Sequence, residues 1–180
     1  FPAWLCLVVT LPALGAEYSV APRPAWVTPT PFLEKSRRQT EQAEFARFFL
    51  ADFQVNLTPL RQQYFHYATR ALTEAGIKQL EKLSLAYDPR TEKLELHDVS
   101  ILRDGKRLSL LSSAKIAVTS TDNAMQQVTL QFSDLKLDDV LDYQYTLSAL
   151  QKSDAKYAAS FKLGWAVPVD RAQVRILFPQ

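Results

Sequence analysis

Residues 127–132 read Gln-Val-Thr-Leu-Gln-Phe (QVTLQF), the cleanest period-two alternation in the chain. Val128, Leu130 and Phe132 fall on one side; Gln127, Thr129 and Gln131 fall on the other. A strand with one face in a core and one toward water needs this pattern. Similar short stretches flank it closely on both sides, so its reading decides the fold.

Upstream, Leu94 and Leu96 share one parity, and Val99 and Ile101 the other. A bulge between the two pairs would put all four on one face. Asp104-Gly105 has the composition of a two-residue hairpin turn. Leu108, Leu110, Ile116 and Val118 continue the pattern. Further back, residues 53–57 alternate, Thr58-Pro59 reads as a break, and residues 63–72 are rich in Tyr, Phe and Thr. Residues 73–76 read as a turn and 77–87 as a strand ending at the turn Asp88-Pro89-Arg90-Thr91. Downstream, three more strands are expected. They carry Tyr143, Tyr145 and Leu147; Phe161, Leu163 and Trp165; and Val174, Ile176 and Phe178.

These elements predict a mainly β fold, an antiparallel β-sandwich or two packed sheets. Phe45, Phe48 and Phe49 have the spacing of a helix face, so a short N-terminal helix is expected over 43–52. Before it, residues 17–42 form an arm. Pro22, Pro24, Pro29 and Pro31 make its first part extended and partly polyproline-like. Trp26, Val27, Phe32 and Leu33 are costly to leave in water. The arm is therefore expected in a groove, on its own domain or on a partner. Trp26, Val27 and Phe32 are the candidate partner-binding residues.

The first sixteen residues, FPAWLCLVVTLPALGA, carry no charge and read as the remnant of a signal peptide. Sixteen residues interrupted by Pro2 and Pro12 fall short of the roughly 20 a spanning helix needs. Three regions are thus expected: 1–16 leader, 17–42 arm, and 43–180 a β-rich domain that continues into a further domain beyond 180. Export to the periplasm or cell envelope follows from the leader. The single cysteine, Cys6, lies in it, so no disulfide, Cys-ligated metal or cysteine nucleophile is expected in the remainder. Lys and Arg number 21 against 19 Asp and Glu, a balance that gives no field for nucleic acid. Lys35, Arg37 and Arg38 are too few to bind a phosphate backbone.

Candidate chemistry is sparse. His66 and His97 with Glu95 or Asp98 would supply metal ligands, and Asp138, Asp139 and Asp142 would suit calcium. In both cases solvated or hydrogen-bonded side chains are the commoner outcome, and no metal or cofactor is expected. Ser109, Ser112, Ser113, Ser120 and Ser160 lack the nucleophile-elbow context, and no catalytic residue is assigned. Tyr64, Tyr67, Tyr143, Tyr145, Tyr157 and Trp165 would serve as a surface for sugars or peptides. Cross-strand aromatic pairing in a sheet explains them more simply.

Several stretches together resemble one family. They are Pro24-Ala25-Trp26-Val27, then residues 71–77 (ALTEAGI), 85–89 (LAYDP) and 94–97 (LELH). Arg103-Asp104-Gly105-Lys106, residues 135–145, Val169-Asp170-Arg171-Ala172 and the run on to Pro179 complete the set. The chain is similar to the domain of unknown function found N-terminal to transglutaminase-like (cysteine protease-like) domains in Gram-negative envelope proteins. That family has Gly-Asp where this chain has Asp138-Asp139. The resemblance implies a non-catalytic accessory domain. It would position a downstream Cys-His-Asp domain of the same polypeptide, or bind an envelope protein or peptide. Two alternatives stay open: a contribution to the substrate-binding surface of a cysteine-dependent transglutaminase or peptidase, and a free-standing carbohydrate- or peptide-binding module.

Overall fold

The computed structural model describes residues 18–32, 45–121, 123–152, 157–161 and 164–178. The expected leader and the Lys35, Arg37 and Arg38 spot lie outside these residues. Ten strands and one helix follow in chain order: β1 (Tyr18–Val20), β2 (Ala46–Asn56), β3 (Gln62–Ala71), α1 (Glu74–Leu80), β4 (Lys82–Tyr87), β5 (Glu92–Arg103), β6 (Lys106–Ser109), β7 (Lys115–Ser120), β8 (Gln126–Gln131), β9 (Val140–Ala149) and β10 (Ala172–Leu177).

The strands build two packed sheets, as the alternation predicts. The larger has the order β1-β5-β9-β3-β2-β10, with β6 paired to β5. The smaller is β4-β8-β7. Most pairs are antiparallel, but both edges are not. β1 runs parallel to β5, and β10 runs parallel to β2. The larger sheet is therefore mixed.

The core forms where the alternation of β8 meets that of β4 and β5. Leu83, Leu85 and Tyr87 from β4, with Val128 and Leu130 from β8, pack on Leu94, Leu96, Val99 and Ile101. The register of β5 shifts between Leu96 and Asp98, so His97 is the extra residue and all four apolar side chains share the core face. Each such burial contributes roughly 1.5–3 kcal/mol. Asp104 (φ 52°) and Gly105 (φ 73°) make the left-handed two-residue turn between β5 and β6.

Three expectations are corrected. The helix expected over 43–52 is strand β2 from Ala46 onward. Nearly every residue of β2 is buried, because the sheet is covered on both faces there. A continuous apolar run gives no period by which to tell strand from helix. A bulge after Phe48 lets Phe48 touch Tyr67 and Trp165 on one face while Phe49 stacks on Phe32 on the other. Second, residues 73–80 are not turn and strand but a capped helix. Thr73 accepts from the Gly76 amide (3.1 Å), with Glu74 in the first turn. Third, Phe161 and Trp165 lie in irregular chain, not a strand. This segment is held by Phe48–Trp165 and Phe53–Phe161 ring contacts and, just beyond it, by the Arg47–Asp170 ion pair.

Candidate functional site

The two faces of the larger sheet differ in chemistry. Strand alternation sends most of the aromatic and aliphatic side chains of β3, β5 and β9 to the face that meets the smaller sheet and residues 157–161 and 164–167. The opposite face receives most of the polar ones, together with Tyr64 and a small apolar cluster of Phe49, Leu50, Ala68 and Val140. Asp52, Gln54, His66, Asp142, Gln144 and Thr146 all lie buried on it. The proline-rich arm crosses this face over Gln54 and His66, and Arg107 of β6 closes over Asp142.

The arm leaves β1 at the β5 edge and crosses to β10. Its main chain makes most of the contacts. The Ala21 amide donates to Leu96 O (3.0 Å), and Ala21 O accepts from His97 Nδ1 (2.9 Å). Gln54 holds both sides of one peptide residue: its Oε1 accepts from the Thr28 amide (3.0 Å) and its Nε2 donates to Thr28 O (2.6 Å). Arg175 Nη1 donates to Trp26 O (3.0 Å), and Arg171 Nη1 to Pro31 O (3.3 Å). Val27 is 5% exposed, Trp26 is half-buried, and Phe32 stacks on Phe49 at 6.4 Å. The three candidate partner-binding residues thus sit in a groove of their own domain.

Beneath the arm, His66 donates through Nε2 to Asp142 Oδ1 (2.8 Å), and Arg107 donates to Asp142 Oδ2. His66 is 6% exposed, with Phe32 edge-on to its ring. His97 is engaged at both ring nitrogens, the second on Thr146 Oγ1 (2.6 Å). Burial pushes the His97 pKa down, against the pull of the Ala21 carbonyl and Glu95. Burial also raises the Asp98 carboxyl, although Arg107 lies beside it. Ser100 Oγ bonds Asp98 and Arg107, not His66. The arrangement orients groups tightly and leaves no ring nitrogen of His97 for proton transfer.

The two histidines flank Tyr64, each ring centroid more than 6 Å from it, and serve different partners. Among the described residues no three His, Cys, Asp or Glu side chains are placed to share an ion. The acidic cluster disperses too. Asp138 is exposed at a turn, Asp139 is paired with Arg103, and Asp142 belongs to His66.

The tyrosines share the other face, except Tyr64. Phe65 stacks on Tyr145 at 4.7 Å and Tyr67 on Tyr143 at 5.2 Å; each pair is directly opposed in register. Ring faces spent on one another make a ladder, not a flat platform for sugar rings. Burial pushes the Tyr67 phenol up to about 12, and also raises those of Tyr143 and Tyr145. At the end of this ladder a cleft of about 300 Å³ opens between Phe53, Phe65, Tyr67, Phe161 and Trp165. Gln54, Arg171 and Arg175, which hold the arm, carry no signal in the sequence: a polar residue at an alternate strand position reads as solvent-facing.

Residues 60–180 match the sequence profile of a Domain of Unknown Function with a solved structure, DUF3857. The chain belongs to the DUF3857 family. No curated protein matches this DUF3857 chain. Among solved structures it is similar to a protein of Parabacteroides distasonis described as a candidate protease, with a TM-score of 0.53 and 12% identity. The match covers 60% of this chain and 24% of that one, so the shared fold is about a quarter of the longer protein. At that identity the likeness is one of fold.

Proposed function

We propose that this DUF3857 domain is a non-catalytic accessory domain of an exported transglutaminase-like protein. It positions a downstream cysteine-dependent domain or binds an envelope partner. The observation that carries this reading is the inaccessibility of both histidines: His66 is 6% exposed with Phe32 edge-on to its ring, and His97 is bonded at both nitrogens. A general base needs a ring nitrogen within reach of a substrate proton. The relative of the same fold is a far longer protein described as a candidate protease, which supports a role beside a catalytic unit.

The purified chain should neither hydrolyse casein nor transfer acyl groups from a glutamine peptide to hydroxylamine. The native protein, isolated from its envelope fraction, should have a mass well above 20.4 kDa. Its peptide map should show a further domain bearing Cys and His. Turnover by the isolated chain, abolished by His66→Gln, would sink the proposal.

A second reading is favoured by the cleft beside Phe161 and Trp165. There the domain would lend substrate-binding surface to an adjacent active site. A cleft-lining variant that raises KM of the whole enzyme without changing kcat would support it.

A further inference from the structure

We infer that the polar face of the larger sheet is a recognition groove for an extended, proline-spaced peptide, with residues 21–32 as its resident occupant. The inference goes beyond the accessory reading, since a peptide would bind whether or not a catalytic domain stands alongside.

Three observations carry it. First, the groove reads main chain. Gln54 grips both the amide and the carbonyl of Thr28, while His97, Arg175 and Arg171 take the carbonyls of Ala21, Trp26 and Pro31. Contacts of this kind accept any segment of the same backbone shape, and proline spacing pre-sets that shape at low entropic cost. One aliphatic side chain, Val27, supplies the buried anchor.

Second, the floor under the middle of the arm is polar. Asp52 and Gln54 are 0% exposed, with His66 opposite Asp52 in register. The apolar part of this face, Phe49, Leu50, Ala68 and Val140, is confined to the end where Phe32 packs. Apolar surface is costly to uncover, whereas water can solvate the polar stretch when the arm lifts. The contrast is with the other face, whose aromatic ladder and aliphatic core demand permanent cover.

Third, the arm fits imperfectly. Asp52 Oδ1 and Trp26 Nε1 are buried and have no hydrogen-bond partner among the described residues. Unpaired polar atoms weaken the resident contact. A peptide with a different residue at the Trp26 position removes one of these penalties.

The test uses the full chain and a fluorescein-labelled synthetic peptide, EYSVAPRPAWVTPTPF, which copies residues 17–32. In the wild type the tethered arm competes at an effective concentration of roughly millimolar, so anisotropy should report weak binding. Val27→Asp in the chain weakens that competitor and should tighten peptide binding at least tenfold. Adding Gln54→Ala should return it to the wild-type level or below, and a peptide carrying Asp at the Val27 position should not bind. Circular dichroism checks that each variant folds. If Val27→Asp does not fold, Val27→Ala carries the same test with a smaller tightening, about threefold. A folded variant that binds the peptide no better than wild type overturns the inference. So does a wild-type dimer by light scattering that the peptide cannot dissociate, because a second copy would then be the occupant. Neither result touches the accessory reading, which is judged by turnover and native mass.

Discussion

Arg103 and Asp139 form a two-point ion pair, with Nε 2.9 Å from Oδ1 and Nη2 2.7 Å from Oδ2, and the residue that aims it stands in a left-handed conformation. Asp138, next to Asp139, has φ 66°. Asp139 also accepts from the Lys136 amide (2.8 Å) and is 2% exposed. The turn, the carboxylate and the guanidinium are one unit that starts β9. Aspartate tolerates this backbone better than most residues; a β-branched one does not. Asp138→Val should cost about 1–3 kcal/mol by backbone strain alone. Asp139→Asn should cost about 1–3 kcal/mol, since it takes the charge from a buried acceptor of the Arg103 and Lys136 hydrogen bonds, while Arg103 keeps Asp134. Urea denaturation at pH 7 measures both. A loss under about 0.5 kcal/mol in either would contradict the coupling.

Gly76 sits inside α1, where alanine is the better helix former by about 1 kcal/mol. A Cβ there would lie 2.1 Å from Phe45 O and 3.0 Å from Phe45 C. Phe45 O also accepts from the Leu72 amide (2.9 Å), so it cannot move without loosening the turn after β3. Gly76→Ala should destabilise the domain by about 1–3 kcal/mol, the reverse of its propensity. Thermal unfolding of the variant reads the sign directly.

Acid should loosen the arm through His97. Its folded pKa lies below the ordinary 6.5 because of burial, so the folded chain refuses a proton that the unfolded chain accepts. This contribution to stability is present above about pH 6.5 and is lost as pH falls below it. Asp98 runs the other way. Its raised pKa favours the folded state at low pH, and that contribution fades as pH rises. The urea midpoint of wild type should therefore fall more between pH 7 and pH 5 than that of His97→Gln. Parallel curves for the two proteins would count against the assignment.

Tyr64, Tyr67, Tyr143 and Tyr145 all have phenols raised by burial. Ultraviolet titration of the folded domain should leave these four protonated at pH 11. Adding urea at that pH should release their absorbance change at once. Tyr67, pushed up to about 12, should ionise before Tyr64 and Tyr145 as pH climbs further.

Legibility in the sequence followed the burial of each strand's two faces. β8 and β5 were readable, bulge included, because only one face of each is apolar: Val128 and Leu130 in β8, Leu94 to Ile101 in β5. β2 was not, since Phe48 and Phe49 point to opposite covered faces and mimic a helical stripe. α1 was missed because its cap, Thr73, and its Gly76 both look like turn residues. The arm's extended shape and its need for a groove were visible in its prolines and in Val27. The groove itself was not, because its walls are polar side chains brought from β2, 26 residues on, and from β10, 149 residues on.

The two parallel edge strands set where the chain's flanks depart. Tyr18, Leu94, Leu147, Gln63, Val55 and Ile176 lie on one rung across the larger sheet. β1 begins on this rung and β10 ends one residue past it. At about 4.8 Å per strand the two rims stand roughly 24 Å apart. Bodies attached ahead of Tyr18 and behind Leu177 would therefore stand side by side beneath one end of the sheet, like two posts carrying a single lintel.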